Sequence, residues 1–211
     1  MNCNLCRSND VRCVAAKGQR SFYFCPQCQL VSVPASQHLS LSEEKERYSH
    51  HENFADNPDY VRYLTEFSHE IERIPVKQPC ILDFGSGGEY VLTRILREKG
   101  FCCTPYDPLY NVGLDNLAVK YDIVVLCETI EHLRDLPAEM KMINRLCKPE
   151  GYILVRTRFY SDKNALATWW YALDETHVNF FNDHSFDHMA SMIDRKIVYS
   201  DHERTVVIGP Q

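Results

Sequence analysis

From Cys80 onward the chain alternates short apolar runs with stretches of helical periodicity, and this alternation limits its fold more than any other feature of the 211 residues. Strands apolar on both faces, separated by segments long enough for a crossover helix, specify an α/β fold with a parallel sheet covered by helices on both faces. The runs read as strands over Cys80–Phe84, Cys102–Tyr106, Ile123–Cys127, Tyr152–Arg156, Lys196–Ser200 and Thr205–Ile208. Helices are expected over Glu89–Lys99, Leu136–Leu146 and Ser185–Asp194. Ahead of them, Tyr60, Tyr63, Leu64, Phe67, Ile71 and Ile74 fall at helical spacing within Pro58–Ile74, an amphipathic helix expected to pack on the same domain.

The segment Asp83-Phe-Gly-Ser-Gly-Gly-Glu-Tyr lies where the first of these strands passes into a helix. Its glycines, Gly85, Gly87 and Gly88, let a ligand approach the backbone closely. Asp107 ends the next strand within Tyr-Asp-Pro, where a carboxylate can accept both hydroxyl hydrogens of a ribose. Alone, an Asp after a strand is an ordinary turn or cap residue; paired with the glycine turn it points to a ligand. Glu89 stands where a third glycine is usual. A carboxylate at a helix start suits the dipole but repels a dinucleotide pyrophosphate, so the turn disfavours NAD and tolerates a cationic ligand.

Together these segments resemble the class I S-adenosylmethionine-dependent methyltransferases. ILDFGSGGEYVLTRILREKG looks like the first motif of that superfamily, YDP like its ribose-binding acid, YDIVVLCETIEHLRDL like its fourth-strand motif and LCKPEGYILVRT like the approach to its fifth strand. The resemblance covers 78–211 and implies a Rossmann-like methyltransferase sheet. It further implies that Asp83, Gly85, Gly87, Gly88, Asp107 and Glu128 lie at the cofactor, with Asp115 as the candidate acid near adenine.

Methyl transfer is an in-line displacement from an already activated sulfonium, so the protein mainly aligns the acceptor and removes its proton. Two clusters are placed to do this beyond the strand ends. In Glu128-Thr-Ile-Glu131-His132, a helical turn would bring the three charged side chains to one side. In Trp169-Trp170-Tyr171…Asp174-Glu-Thr-His177, aromatics beside an acid and a histidine suit a pocket for a ring or sugar. His177, His132 and Glu131 are the candidate catalytic residues. His132 also fits a helix-start or packing role, and Trp169 and Trp170 fit a pocket wall. His50, His51, His184 and His188 carry no signal separable from exposed polar residues.

Cys3, Cys6, Cys25 and Cys28 form C-x2-C-x18-C-x2-C, the spacing of a structural four-cysteine zinc site. Strand formers between the pairs suit a hairpin carrying two knuckles. A ribbon this small buries too little apolar surface to fold without its metal. The expected organisation is therefore a zinc ribbon over 1–34, a polar linker over 35–57 with helical tendency near Ser42–Tyr48, and a methyltransferase domain over 58–211. Cys80, Cys102, Cys103, Cys127 and Cys147 sit in apolar contexts and read as core.

Two narrower resemblances compete. Sugar C-methyltransferases also carry an N-terminal cysteine module, and the chain resembles their front part. E-x-x-E-H with a later His is similar to the metal-assisted O-methyltransferases of ubiquinone synthesis and small-RNA end modification. That likeness implies a divalent cation at Glu128, Glu131, His132 and His177.

The net charge of −6 gives no overall positive potential for phosphate backbones, so nucleic acid is an unlikely partner. The opening residues do not resemble a signal peptide and no run approaches a membrane span, which leads us to expect a cytoplasmic protein. The function expected is methyl transfer to an oxygen or carbon of a small or carrier-linked acceptor, with a protein partner at the ribbon as a further option. Two alternatives differ in class: a non-catalytic binding module, and an RNA or protein methyltransferase recruited through the ribbon.

Overall fold

Two strands, β1 (Arg12–Lys17) and the aromatic-rich β2 (Arg20–Phe24), pair antiparallel between the two cysteine pairs, and β3 (Val31–Ser32) lies against β2. A computed structural model describes residues 1–49 and 54–211. His50, His51 and part of the expected linker 35–57 lie outside the described residues. Within that linker, α1 (Leu41–Ser49) extends the expected helical stretch. Next, α2 (Pro58–Glu72) starts where the Asn57 side chain accepts the N–H groups of Asp59 and Tyr60, with Pro58 preset for the first turn.

The elements that follow are β4 (Cys80–Phe84), α3 (Val91–Glu98), β5 (Cys102–Tyr106), β6 (Tyr121–Cys127), α4 (Leu136–Leu146), β7 (Cys147–Arg156), β8 (Asn179–Phe180), α5 (Asp183–Met192), β9 (Lys196–Ser200) and β10 (Thr205–Gly209). The sheet order is β5-β4-β6-β7-β10-β9. Strands β5, β4, β6 and β7 pair in parallel, whereas β10 runs antiparallel to both neighbours. The short 201–204 connection imposes that reversal, because parallel neighbours need a long crossover. Asp201 holds the turn by accepting the N–H groups of Glu203, Arg204 and Thr205. Two helices begin off the expected positions for local reasons: Tyr90 at φ 38° delays α3 to Val91, and an Asn182–Ser185 capping box starts α5 at Asp183.

Alternating side chains divide the core between the two faces of the sheet. Ile81, Ile123 and Val125 pack under Leu64, Phe67, Ile71, Leu92 and Leu96 of α2 and α3. Leu82, Val124 and Leu126 meet Met140 and Ile143 of α4 and Phe186 and Met189 of α5. Among the cysteines expected in the core, Cys103 and Cys147 are buried, but Cys102 is exposed on the edge strand β5.

The ribbon is built into the larger fold. Strand β3 pairs with β8, which lies in the loop region between β7 and α5, giving a second sheet of order β1-β2-β3-β8. Phe22 meets Phe180 edge-on at 5.7 Å within a cluster that includes Leu166, Tyr171 and Val178. The segment carrying His177 is thus packed from one side by the N-terminal hairpin.

Candidate active site

At the end of β4 the chain turns sharply. Gly85 has φ 81°, and a Cβ there would lie 2.3 Å from Thr129 Cγ2, so the end of β6 leaves room only for glycine. The N–H groups of Gly85 and Ser86 both bond to the Tyr106 carbonyl. Gly87, at φ 70°, donates its N–H to Asp107 Oδ2 at 2.9 Å. Asp107 Oδ1 accepts from the N–H groups of Leu109 and Tyr110 at 2.9 and 3.3 Å. This carboxylate therefore braces the glycine turn and the following loop while facing the cavity.

Asp83 departs from the expectation that it contacts the cofactor. It is 2% exposed and does not line the cavity among the described residues. Its Oδ2 accepts from the Thr93 N–H and hydroxyl at 3.1 and 2.8 Å, tying β4 to the start of α3. Burial lifts its pKa to about 6. Asp115, the candidate acid near adenine, is exposed and also stands outside the cavity lining.

The cavity itself measures about 1430 Å³. It runs from Gly85, Gly87, Gly88 and Asp107 to Glu128, His132, Trp170, Tyr171 and His177. Single-ligand pockets usually span about 300–1,000 Å³, so this space accommodates a cofactor together with an acceptor.

At its far end three side chains converge on the Tyr171 phenol. Glu128 sits at φ 49°, a strained backbone for a non-glycine residue at a strand end. Its carboxylate accepts from Tyr63 Oη at 2.5 Å and Tyr171 Oη at 3.0 Å. Tyr171 Oη also lies 2.6 Å from Glu131 Oε1 and 2.9 Å from Thr157 Oγ1. Glu131 is fully buried, and its Oε2 has no hydrogen-bond partner among the described residues. Desolvation, reinforced by the neighbouring Glu128 charge, holds the Glu131 carboxyl well above the ordinary range.

The two histidines complete the cluster. His132 Nδ1 donates to the Thr176 carbonyl at 3.0 Å and His177 Nδ1 to the Tyr171 carbonyl at 2.8 Å. A carbonyl can only accept, so each Nδ1 carries the proton. Burial, then the neighbouring His177, lowers His132 to about 3, which keeps its ring neutral. The rings meet edge-on at 4.7 Å. Glu131, His132 and His177 each offer a ligand atom within 4.8 Å of the others. Glu128 does not belong to this group among the described residues, so three of the four expected ligands are brought together; its two oxygens face Tyr63 and Tyr171.

The expected helical turn after β6 is a 3-10 turn over Ile130–His132, and it does direct Glu128 and Glu131 to the same hydroxyl. Sequence reasoning missed Tyr63, Thr129 and the central place of Tyr171. Tyr63 left a trace as a hydroxyl, like Tyr60, on the helical stripe, and Tyr171 as one of the expected pocket aromatics.

At the N-terminus, each cysteine pair forms a tight turn closed by a left-handed residue, Arg7 at φ 63° and Gln29 at φ 56°. Cys3 and Cys28 Sγ lie 3.4 Å apart, and Cys6 and Cys25 Sγ 3.5 Å apart. Disulfide sulfurs would be about 2.05 Å apart, whereas a tetrahedron of about 2.3 Å Zn–S bonds has edges near 3.8 Å. The four thiols fit zinc. In their mutual contact the hydrogen bond from Cys28 lowers Cys3 to about 5, while burial raises Cys6 to about 11.

Comparisons agree with this architecture. A structure of an O-methyltransferase family protein from Burkholderia thailandensis is similar at 12% identity and a TM-score of 0.56, covering 80% of this chain and 63% of that one. The mitomycin 7-O-methyltransferase matches at 12% identity and 0.56, over 82% of this chain and 61% of that one. The 1,6-didemethyltoxoflavin-N1-methyltransferase of Burkholderia thailandensis matches at 13% identity and 0.54, over 92% of this chain and 97% of that one. The chain thus spans less than two thirds of the length of the two O-methyltransferases. No curated protein matches it in sequence. The family profile described as "Methyltransferase domain" matches residues 50–198, and the chain belongs to that methyltransferase family.

Proposed function

We propose that the chain transfers a methyl group from S-adenosylmethionine to an oxygen or carbon of a small or carrier-linked acceptor, seated between Glu128, Trp170 and His177. One observation carries this reading: a single cavity runs from the glycine turn to Glu128, His132 and His177. The cofactor lies along Gly85–Gly88 with its ribose toward Asp107. Acidic groups at Glu89, Asp107 and Glu128 favour a sulfonium over an anionic cofactor. In the reaction the acceptor atom attacks the methyl carbon, the carbon–sulfur bond breaks, and its electron pair stays on sulfur as S-adenosylhomocysteine leaves. The acceptor's proton must go to a nearby base, and His177 is the imidazole placed for it.

The same cluster also supports a divalent cation. Both rings keep Nδ1 protonated and present Nε2 as a lone-pair donor, as metal-bound histidines braced by a backbone carbonyl do. The unpartnered buried Oε2 of Glu131 supplies a carboxylate to the set. A cation held by Glu131, His132 and His177 would lower the pKa of an acceptor hydroxyl.

Titration with Mn²⁺ separates the two roles. Under the cation reading, the parent binds a Mn²⁺ that His132→Ala loses while ribbon zinc stays constant. Under the base reading, methyl transfer is indifferent to chelation as long as the ribbon keeps its metal. No cofactor binding by the parent protein would defeat both.

A further inference from the structure

His177 of this cluster sits on a loop that the N-terminal hairpin packs against, and one side chain of the hairpin binds the loop's main chain. Arg20, the first residue of β2, extends its guanidinium into the segment 172–177. Nε donates to the Ala172 carbonyl at 3.0 Å, one terminal nitrogen to Glu175 O at 3.4 Å, and the other to Asp174 O at 2.9 Å and to His177 O. One planar fork thereby collects four carbonyls from six consecutive residues, a geometry the single ammonium of lysine cannot reproduce. All four acceptors are neutral main-chain groups. The group is half-buried, and desolvation lowers its pKa, offset in part by the charges of Asp174 and Glu175.

Two of these carbonyls flank the atoms that matter for chemistry. Within the same loop, His177 Nδ1 is fixed by Tyr171 O and His132 Nδ1 by Thr176 O. Immediately after it, the Val178 N–H bonds to Glu131 O, and Val178 O accepts from Val33 of the ribbon. Loosening the loop would therefore disturb both histidines and Glu131 together. One ribbon contact lies outside the 172–177 segment: Tyr160 Oη donates to Gln29 O at 2.6 Å.

We infer that Arg20 is a positioning residue for methyl transfer, holding His177 in its Nδ1-protonated form through the 172–177 carbonyls and so making the cysteine ribbon part of the acceptor site. This inference rests on the assignment of His177 to the acceptor site, but its test does not use turnover. A failure here leaves that assignment to be judged by His177→Ala.

The experiment compares the parent with Arg20→Ala, Arg20→Lys and Tyr160→Phe, all carrying their ribbon zinc. The imidazole nitrogens are read by long-range ¹H–¹⁵N NMR and the 172–178 amides by hydrogen exchange. In Arg20→Ala, His177 should lose its single Nδ1-protonated signature and the loop amides should exchange about tenfold faster or more, the loss of charge-assisted bonds to the backbone. Arg20→Lys, which keeps the charge without the fork, should behave like Arg20→Ala; it also serves if the alanine variant fails to hold zinc. Tyr160→Phe removes a docking bond outside the loop and should leave both signals as in the parent. A retained His177 signature in both Arg20 variants would overturn the inference. So would its equal loss in Tyr160→Phe, which would assign the effect to ribbon docking as a whole.

Discussion

The Tyr171 hydroxyl lies 2.6 Å from Glu131 Oε1 and 3.0 Å from Glu128 Oε2, so one phenol joins the strand-end carboxylate to the buried one. Tyr171→Phe leaves two carboxyl groups without their shared donor and should cost about 1–3 kcal/mol of stability. Urea denaturation checks this, and an unchanged midpoint would show that the contact contributes nothing.

The glycine turn gives a contrast between neighbours. An added methyl at Gly85 meets Thr129 at 2.3 Å, whereas at Gly87 nothing lies within 4 Å. Gly87→Ala should lose only the left-handed backbone penalty of about 1–2 kcal/mol. Gly85→Ala adds overpacking of about 1–3 kcal/mol to that. Thermal melts should rank the two in this order, with Thr129→Ala recovering part of the Gly85→Ala loss.

Asp83 sets a pH dependence. Its pKa rises from 3.8 to about 6 in the folded chain, chiefly through desolvation. Between those values the folded state binds more protons than the unfolded one, so this group's contribution to stability is full below pH 3.8 and is lost as pH rises through 6. Asp83→Asn removes the titration. The stability difference between variant and parent should shift toward the variant by up to about 3 kcal/mol from pH 4 to pH 7. A difference independent of pH would show that Asp83 titrates normally.

The sheet was legible where period and punctuation agree locally. Cys80–Phe84, Cys102–Tyr106, Leu136–Leu146 and Lys196–Ser200 match the expected bounds, each being a single apolar run or stripe between clear breaks. The residues of the strand-end acid–histidine cluster were legible for the same reason, by their place after an apolar run. Strand β8 was not, because two residues, Asn179 and Phe180, owe their extended form to pairing with Val31 and Ser32 far away in sequence. The bond from Thr93 to Asp83 was not legible, because position in a strand does not fix which partner a side chain meets. Tyr171 and Arg20 were invisible as organising residues, since their partners come from separate segments that only the fold brings together.

The four thiols should bind one zinc per chain in protein purified without added metal. Cys25→Ser should lose it and release the β3–β8 pairing, with faster amide exchange at Val33 and 178–180. An ordered, metal-free N-terminus by the same measurements would remove the zinc assignment.

The account stands or falls on the acceptor side of the cavity, and the direct measurement is transfer of labelled methyl from S-adenosylmethionine to hydroxylated small molecules by the parent and by His177→Ala. His177→Ala should bind S-adenosylmethionine within a few fold of the parent while turnover falls by about 10²-fold or more. Turnover within a few fold of the parent would assign His177 to packing and contradict the proposed site.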